Sequence, residues 1–120
     1  MVDGSTSEIS PCSIERLWIN GERVGSGTIY GIVGYGDVHG LSVFGCGIVT
    51  LAGAGTKGIY LQSTGTVEPS GCYLERILVQ NVWGTGIGGA FGDSTLHTCH
   101  VQRSRHRRLT LRAGDRMMTL

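Results

Sequence analysis

The chain has 120 residues, which allows one domain. Gly supplies 21 residues and Pro 2, with no three-residue period, so collagen is excluded; 40% hydrophobic against 16% charged residues excludes a disordered chain. Ten Lys and Arg against nine Asp and Glu leave a formal charge of +1, which argues against a dedicated nucleic-acid or anionic-membrane binder.

Residues 1–11 (MVDGSTSEISP) read as a lead-in. They have no basic start and no apolar stretch, so no signal peptide is visible there. No run in the chain approaches the ~20 apolar residues that a spanning helix needs. From Cys12 onward one spacing recurs: apolar, two others, apolar, one other, apolar. It reads Ile14, Leu17, Ile19, then Val38, Leu41, Val43, then Leu74, Ile77, Val79, then Leu96, Cys99, Val101. The last positions differ by 24, 36 and 22 residues. Cys12-Ser-Ile-Glu-Arg-Leu-Trp-Ile also matches Cys72-Tyr-Leu-Glu-Arg-Ile-Leu-Val, with Glu and Arg at the same places. Repeats of this length mark a solenoid, a propeller or an array.

The stretches between copies are too rich in Gly for helices, because each Gly costs about 1 kcal/mol against Ala. Each copy instead ends in alternation, as in Ile77, Leu78, Val79, which is the mark of a half-buried strand. Shorter strand-like pieces follow at Thr28-Ile29-Tyr30, Gly58–Leu61 and Gly86-Ile87, with glycines at the corners. Strand, corner, strand at 22 to 24 residues per turn of the chain predicts an all-β fold, a parallel β-helix of about four coils spanning 12–104. The 36-residue step reads as one coil plus an insertion loop over 62–71 (QSTGTVEPSG). The tail, 105–120, holds Arg105, Arg107, Arg108, Arg112 and Arg116 and lacks the glycine rhythm. It reads either as a degenerate last coil or as the end of an interrupted reading frame. Leu109, Thr110 and Leu111 stand where a further strand is due, eight residues after Val101 as Ile87 stands eight after Val79, and Gly114-Asp115 echoes Gly92-Asp93.

The stretches RLWING, GYGDVHGLSVFGCG, GIYLQSTG and STLHTCHVQRS resemble right-handed parallel β-helix proteins of the pectate-lyase-like superfamily, of the phage-tail and secreted polysaccharide-acting type. The resemblance covers Cys12 to Ser104 and implies the right-handed form, an extracellular or virion setting, and a chain that is a fragment of a longer solenoid. It implies polysaccharide binding or processing, with lyase or glycoside hydrolase chemistry if the chain is active. The alternative is a purely structural segment of a fibre or adhesin, since the fold alone does not set the function. The implied partners are a polysaccharide and either further β-helix coils or homotrimer mates, with no nucleic acid and no membrane.

The residues themselves offer few sites. Gly53-Ala-Gly55-Thr-Lys-Gly58 and Gly84-Thr-Gly86-Ile-Gly-Gly89 match G-x-G-x-x-G, but neither is followed by the helix a dinucleotide needs, so no cofactor is expected. The cysteines Cys12, Cys46, Cys72 and Cys99 form no C-x-x-C pair. Cys99 of His97-Thr-Cys99-His100 stands at an inward position, so no metal site is expected. Cys12 and Cys72, two steps of about 4.8 Å apart, exceed the ~7 Å limit of a disulfide, and four free thiols follow. Stacking in this register puts Glu15, His39, Glu75 and His97 in one outward row, where alternating carboxylate and imidazole suit proton transfer. In that row His39 stands between Glu15 and Glu75. Asp37 and Asp93, each after a corner Gly, form a second candidate pair at about 9.6 Å, the far edge of the range for glycoside hydrolysis. Trp18, Arg76 and His100 complete the candidate ligand-binding set. Trp18, Tyr30, Tyr35, Tyr60 and Trp83 are the aromatics available for stacking on sugar faces.

Overall fold

A computed structural model describes residues 1–9, 11–21, 29–51, 55–89, 93–102 and 106–110. They form strands β1 (Val2–Ile9), β2 (Cys12–Glu15), β3 (Trp18–Asn20), β4 (Tyr30–Val38), β5 (Leu41–Phe44), β6 (Gly47–Leu51), β7 (Lys57–Gln62), β8 (Tyr73–Val82), β9 (Thr85–Gly89), β10 (Thr95–Gln102) and β11 (His106–Thr110). The described residues contain no helix, in keeping with the cost of so many glycines. One sheet runs β1-β4-β7-β9-β11; the other runs β2-β5-β8-β6-β3, with β10 on the far side of β8. Every pairing is parallel. The chain visits the two sheets in turn, returning each time one strand further along. The sheets are open, and between them lies a core of Val, Ile, Leu and Cys side chains.

The third and fourth copies stack as their sequences predict: Leu74 against Leu96, Ile77 against Cys99 and Val79 against Val101. The second copy does not stand where the apolar spacing first places it. Val43 pairs with Ile14 and Leu74, and Ile48 pairs with Ile19 and Val79. The true second copy is Val43, Cys46, Ile48, five residues beyond Val38, Leu41, Val43. Both triplets have the same spacing, so the apolar pattern alone selects neither. Val38 instead closes β4, and Leu41 lies over Cys12 in a neighbouring column. The strand expected at Thr28-Ile29-Tyr30 begins only at Tyr30 and continues through the glycines to Val38; Thr28 lies outside the described residues.

What aligns the copies is a bend shared by all four. Arg16, Gly45, Arg76 and Thr98 stand at one stacked position, and all are left-handed, with φ of 53°, 64°, 54° and 54°. This residue breaks the two-residue alternation, so that the apolar residues two before it and one after it both face inward. Val43, Cys46, Leu74, Ile77, Leu96 and Cys99 are accordingly buried. Leu17 holds the place of Cys46 and Ile77 yet is 45% exposed, because β2 and β3 have a neighbour on one side only among the described residues.

A left-handed L-residue costs roughly 1–2 kcal/mol, and a β-branched one is the worst placed. Thr98→Gly is therefore expected to raise the urea midpoint by an amount equal to about 1 kcal/mol. The same change at Thr95, on the extended part of β10, should lower it, because Gly weakens a strand by about 0.5–1 kcal/mol. A midpoint that falls equally in both variants contradicts the bend.

Buried hydroxyls close the corners. Thr56 donates to the Leu51 carbonyl at 3.2 Å and accepts from Gly84 N–H at 3.2 Å. Ser94 Oγ accepts from Cys72 N–H at 3.1 Å. Each accepts from a backbone N–H at a turn. Residues 63–72 join β7 to β8, with Thr64 and Val67 hydrogen-bonded across a turn. At the far end, β11 pairs with β9 with Leu109 on Ile87, the register expected from the eight-residue offset. Gly92 and residues 111–120, with Leu111 and Gly114-Asp115 among them, lie outside the described residues.

Candidate functional site

Because the core face of the second sheet is apolar, its outer face carries the polar and aromatic side chains. Four rows cross it: Ser13, Ser42, Tyr73 and Thr95; Glu15, Phe44, Glu75 and His97; Trp18, Gly47, Leu78 and His100; Asn20, Val49, Gln80 and Gln102. The expected row of Glu15, His39, Glu75 and His97 is thus corrected at one member. Phe44 stands where His39 was placed, as the five-residue slip requires. Glu75 and His97 are register neighbours, with Oε1 3.5 Å from Nδ1. Glu15 faces Phe44 and lies beyond it from Glu75. Tyr73 leans on the same carboxylate: loss of water around the phenol and then Glu75 raise its pKa.

Trp18, 62% exposed, lies with its six-membered ring against Gly47, where any Cβ would collide with it. The missing side chain at Gly47 is what lets the indole rest on the sheet. His100 is exposed in the same row, beyond Leu78. Arg76, at the bend, places its guanidinium 5.6 Å from the Phe44 ring centroid. Trp83 is 56% exposed just past β8. On the first sheet Tyr30 and Tyr60 are 5.9 Å apart, with the Lys57 ammonium 4.0 Å from the Tyr60 ring centroid.

Asp37 and Asp93 are not equivalent positions. Asp93 precedes Thr95 as Gly71 precedes Tyr73, and Gly71 aligns with Gly40; all three are left-handed. Asp93 is there as a turn residue that tolerates that conformation. Asp37 instead stands in β4, two residues before His39 and on the same face, because Val38 between them is buried. Its Oδ1 is 2.6 Å from His39 Nε2, so the carboxylate beside His39 comes from two residues earlier in the chain and not from Glu15 or Glu75. His39 Nδ1 in turn lies 2.6 Å from Ser70 Oγ. Ser70 arrives from the connection after β7 by a parallel bridge to His39. No spacing in the sequence points to this residue, which is 31 positions away. The nearest hint was that it stands two residues before Cys72, the repeat partner of Cys12.

All four cysteines are free thiols, and Cys46, Cys72 and Cys99 are buried. Cys46 Sγ lies 3.7 Å from the Ile14 carbonyl and Cys99 Sγ 3.6 Å from the Leu74 carbonyl, equivalent atoms in different copies. These thiols serve as weak donors at the bend. Cys99 points inward while His97 and His100 point outward, so the three do not converge on one point. Burial pushes the Cys99 thiol up to about 11, against backbone hydrogen bonds that lower it. The neutral thiol is thus the form that the fold favours. Its contribution is fully present below the ordinary value of 9.0 and is lost as pH rises through about 11. Thermal midpoints are expected to fall across that window more steeply in the native sequence than in Cys99→Val; parallel curves contradict the assignment.

Of the G-x-G-x-x-G strings, Gly84–Gly89 runs into β9 and the Gly58 end of the other lies in β7; Gly53 lies outside the described residues. Among the described residues no helix is long and apolar enough to cross a membrane. No protein-family model, curated protein or solved structure matches this chain.

Proposed function

We propose that the chain is a segment of a right-handed parallel β-helix of about four coils whose outer sheet face binds an extended polysaccharide. Two supports for the β-helix are the strict alternation of the chain between two parallel sheets and the bend residue repeated in four copies. The observation that carries the binding reading is the exposed Trp18 ring seated on Gly47, in a row that runs on to Leu78 and His100. Beside it stand the Glu75–His97 pair and Arg76. An apolar ring face next to charged hydrogen-bonding groups matches the two kinds of surface a sugar presents. If the segment also processes its ligand, Glu75 and His97 are the groups placed to move a proton.

The test is a panel of neutral and acidic polysaccharides followed by tryptophan fluorescence, with Trp18→Ala and Trp83→Ala compared. Binding that Trp18→Ala weakens by roughly tenfold or more supports the reading, since the substitution removes the apolar area a sugar face would cover. Release of reducing ends or unsaturated products would add processing to binding. A panel with no binder overturns it and favours the structural alternative. The outermost strands speak for that alternative: among the described residues β1 pairs only with β4 and β11 only with β9, leaving backbone groups able to pair with another strand.

A further inference from the structure

Asp37, His39 and Ser70 are joined more closely than any other polar groups on the surface just described, and the sugar-binding reading makes no use of Ser70. We infer that they form a nucleophilic site in which Ser70 attacks small carboxylic esters. The inference stands apart from polysaccharide binding, since it rests on a corner between the two sheets and not on the outer face.

Three features of the backbone hold the group. Asp37, near the end of β4, and His39, the first residue past it, lie on one face, with the buried Val38 between them facing the other way. Ser70 N–H donates to the Val38 carbonyl at 3.0 Å, and Gly40 N–H donates to the Ser70 carbonyl at 3.2 Å. Ser70 is thereby clamped on both sides to the residues flanking His39. The side chains then meet at 2.6 Å on each side of the ring, Asp37 Oδ1 on Nε2 and Ser70 Oγ on Nδ1.

An ionised carboxylate only accepts hydrogen bonds, so a neutral His39 carries its proton on Nε2. That leaves the Nδ1 lone pair to accept the Ser70 hydroxyl proton. This is the arrangement that makes a serine hydroxyl nucleophilic: acceptor, oriented imidazole, carboxylate. Here the two ring nitrogens are used in the order carboxylate on Nε2 and serine on Nδ1. Gly71 follows Ser70 directly, is exposed, and has a left-handed φ of 60°. A Cβ there would meet nothing nearer than 3.8 Å, so Gly71 leaves the space beside Ser70 uncrowded. The N–H after the nucleophile is a standard donor to the oxyanion.

The chemistry balances within these groups and water. Ser70 Oγ bonds to the ester carbonyl carbon as its proton passes to His39 Nδ1, and the negative oxygen faces Gly71 N–H. Collapse breaks the ester C–O bond, and the leaving alcohol takes the proton from His39. Water then adds to the acyl-serine with His39 again accepting a proton. The C–Oγ bond breaks, Ser70 Oγ regains that proton, and a carboxylic acid is released. The His39 and Asp37 side chains are 44% and 31% exposed, so the site is an open surface rather than a pocket. Such a site fits a short acyl group, acetyl or near it in size, on a carrier that stays outside.

The test treats the whole chain with a fluorophosphonate probe and maps the adduct by peptide mass spectrometry, with p-nitrophenyl acetate turnover measured alongside. The expected result is an adduct on Ser70, absent in Ser70→Ala and formed roughly a hundredfold more slowly in His39→Ala. Circular dichroism reports whether each variant is folded. If His39→Ala is not, Asp37→Asn, which keeps the size of the side chain, should slow labelling at least tenfold. No adduct on Ser70 in the native chain, or an adduct whose rate ignores both His39 and Asp37, overturns the inference.

Discussion

Val79→Asp is expected to lower stability by about 3–5 kcal/mol, a large part of what a domain of this size has to lose. Val79 is fully buried, stacked between Ile48 and Val101 in the second sheet. Its Cγ1 also stands so near Gly58 of the first sheet that a Cβ on that residue would come within 2.8 Å of it. A carboxylate there has no cation to pair with among these neighbours and is shut off from solvent. Gln80, the next residue, lies on the opposite face of β8 between Val49 and Gln102. Gln80→Asp should change stability by no more than about 0.5 kcal/mol. Urea midpoints of the two variants decide the matter, and equal losses would mean that the inward face of β8 is misassigned.

The second large effect is expected at the glycines that face this column. Gly31, Gly58 and Gly86 are stacked in the first sheet, opposite Ile48, Val79 and Val101 respectively. A Cβ on Gly58 would collide with the Gly86 carbonyl oxygen and with Val79 Cγ1, and one on Gly31 would reach the Gly58 oxygen at 2.6 Å. Side chains can shift at modest cost, but a carbonyl held in a sheet cannot. Gly58→Ala should therefore cost about 1–3 kcal/mol or more, as overpacking does. Gly86 differs in an informative way, because its three nearest atoms all belong to the Val101 side chain. Val101→Ala should thus recover most of the loss caused by Gly86→Ala, whereas Val79→Ala should leave Gly58→Ala largely unrescued. A double-mutant cycle with no coupling between Gly86 and Val101 would contradict the packing.

The slip in the second copy shows how far apolar spacing reaches. Leu74, Ile77 and Val79 with Leu96, Cys99 and Val101 could be aligned by eye, because a connection of 22 residues with Gly corners leaves one solution. Val43 belongs both to the triplet that begins at Val38 and to the triplet that it begins itself. The choice between them falls to the residue at the bend. Gly45, like Arg16, Arg76 and Thr98, adopts the left-handed conformation, and three of those four residues are of types that do not advertise it. With the register settled, Phe44 displaces His39 from the row that holds Glu75 and His97.

The all-β, parallel character, the inward columns of the last two copies, the Glu75–His97 neighbourhood and the Leu109–Ile87 pairing were determined by the sequence alone. Hydrophobic period and glycine placement act locally, so they can be read without knowing the fold. The meeting of Asp37 and His39 with Ser70, the seating of Trp18 on Gly47 and the left-handed bend were decided only in the tertiary structure. Each depends on which strand lies beside which, and connections of unequal length set that order. A pattern of buried positions says that a side chain faces the core; it does not say which segment of the chain will lie next to it.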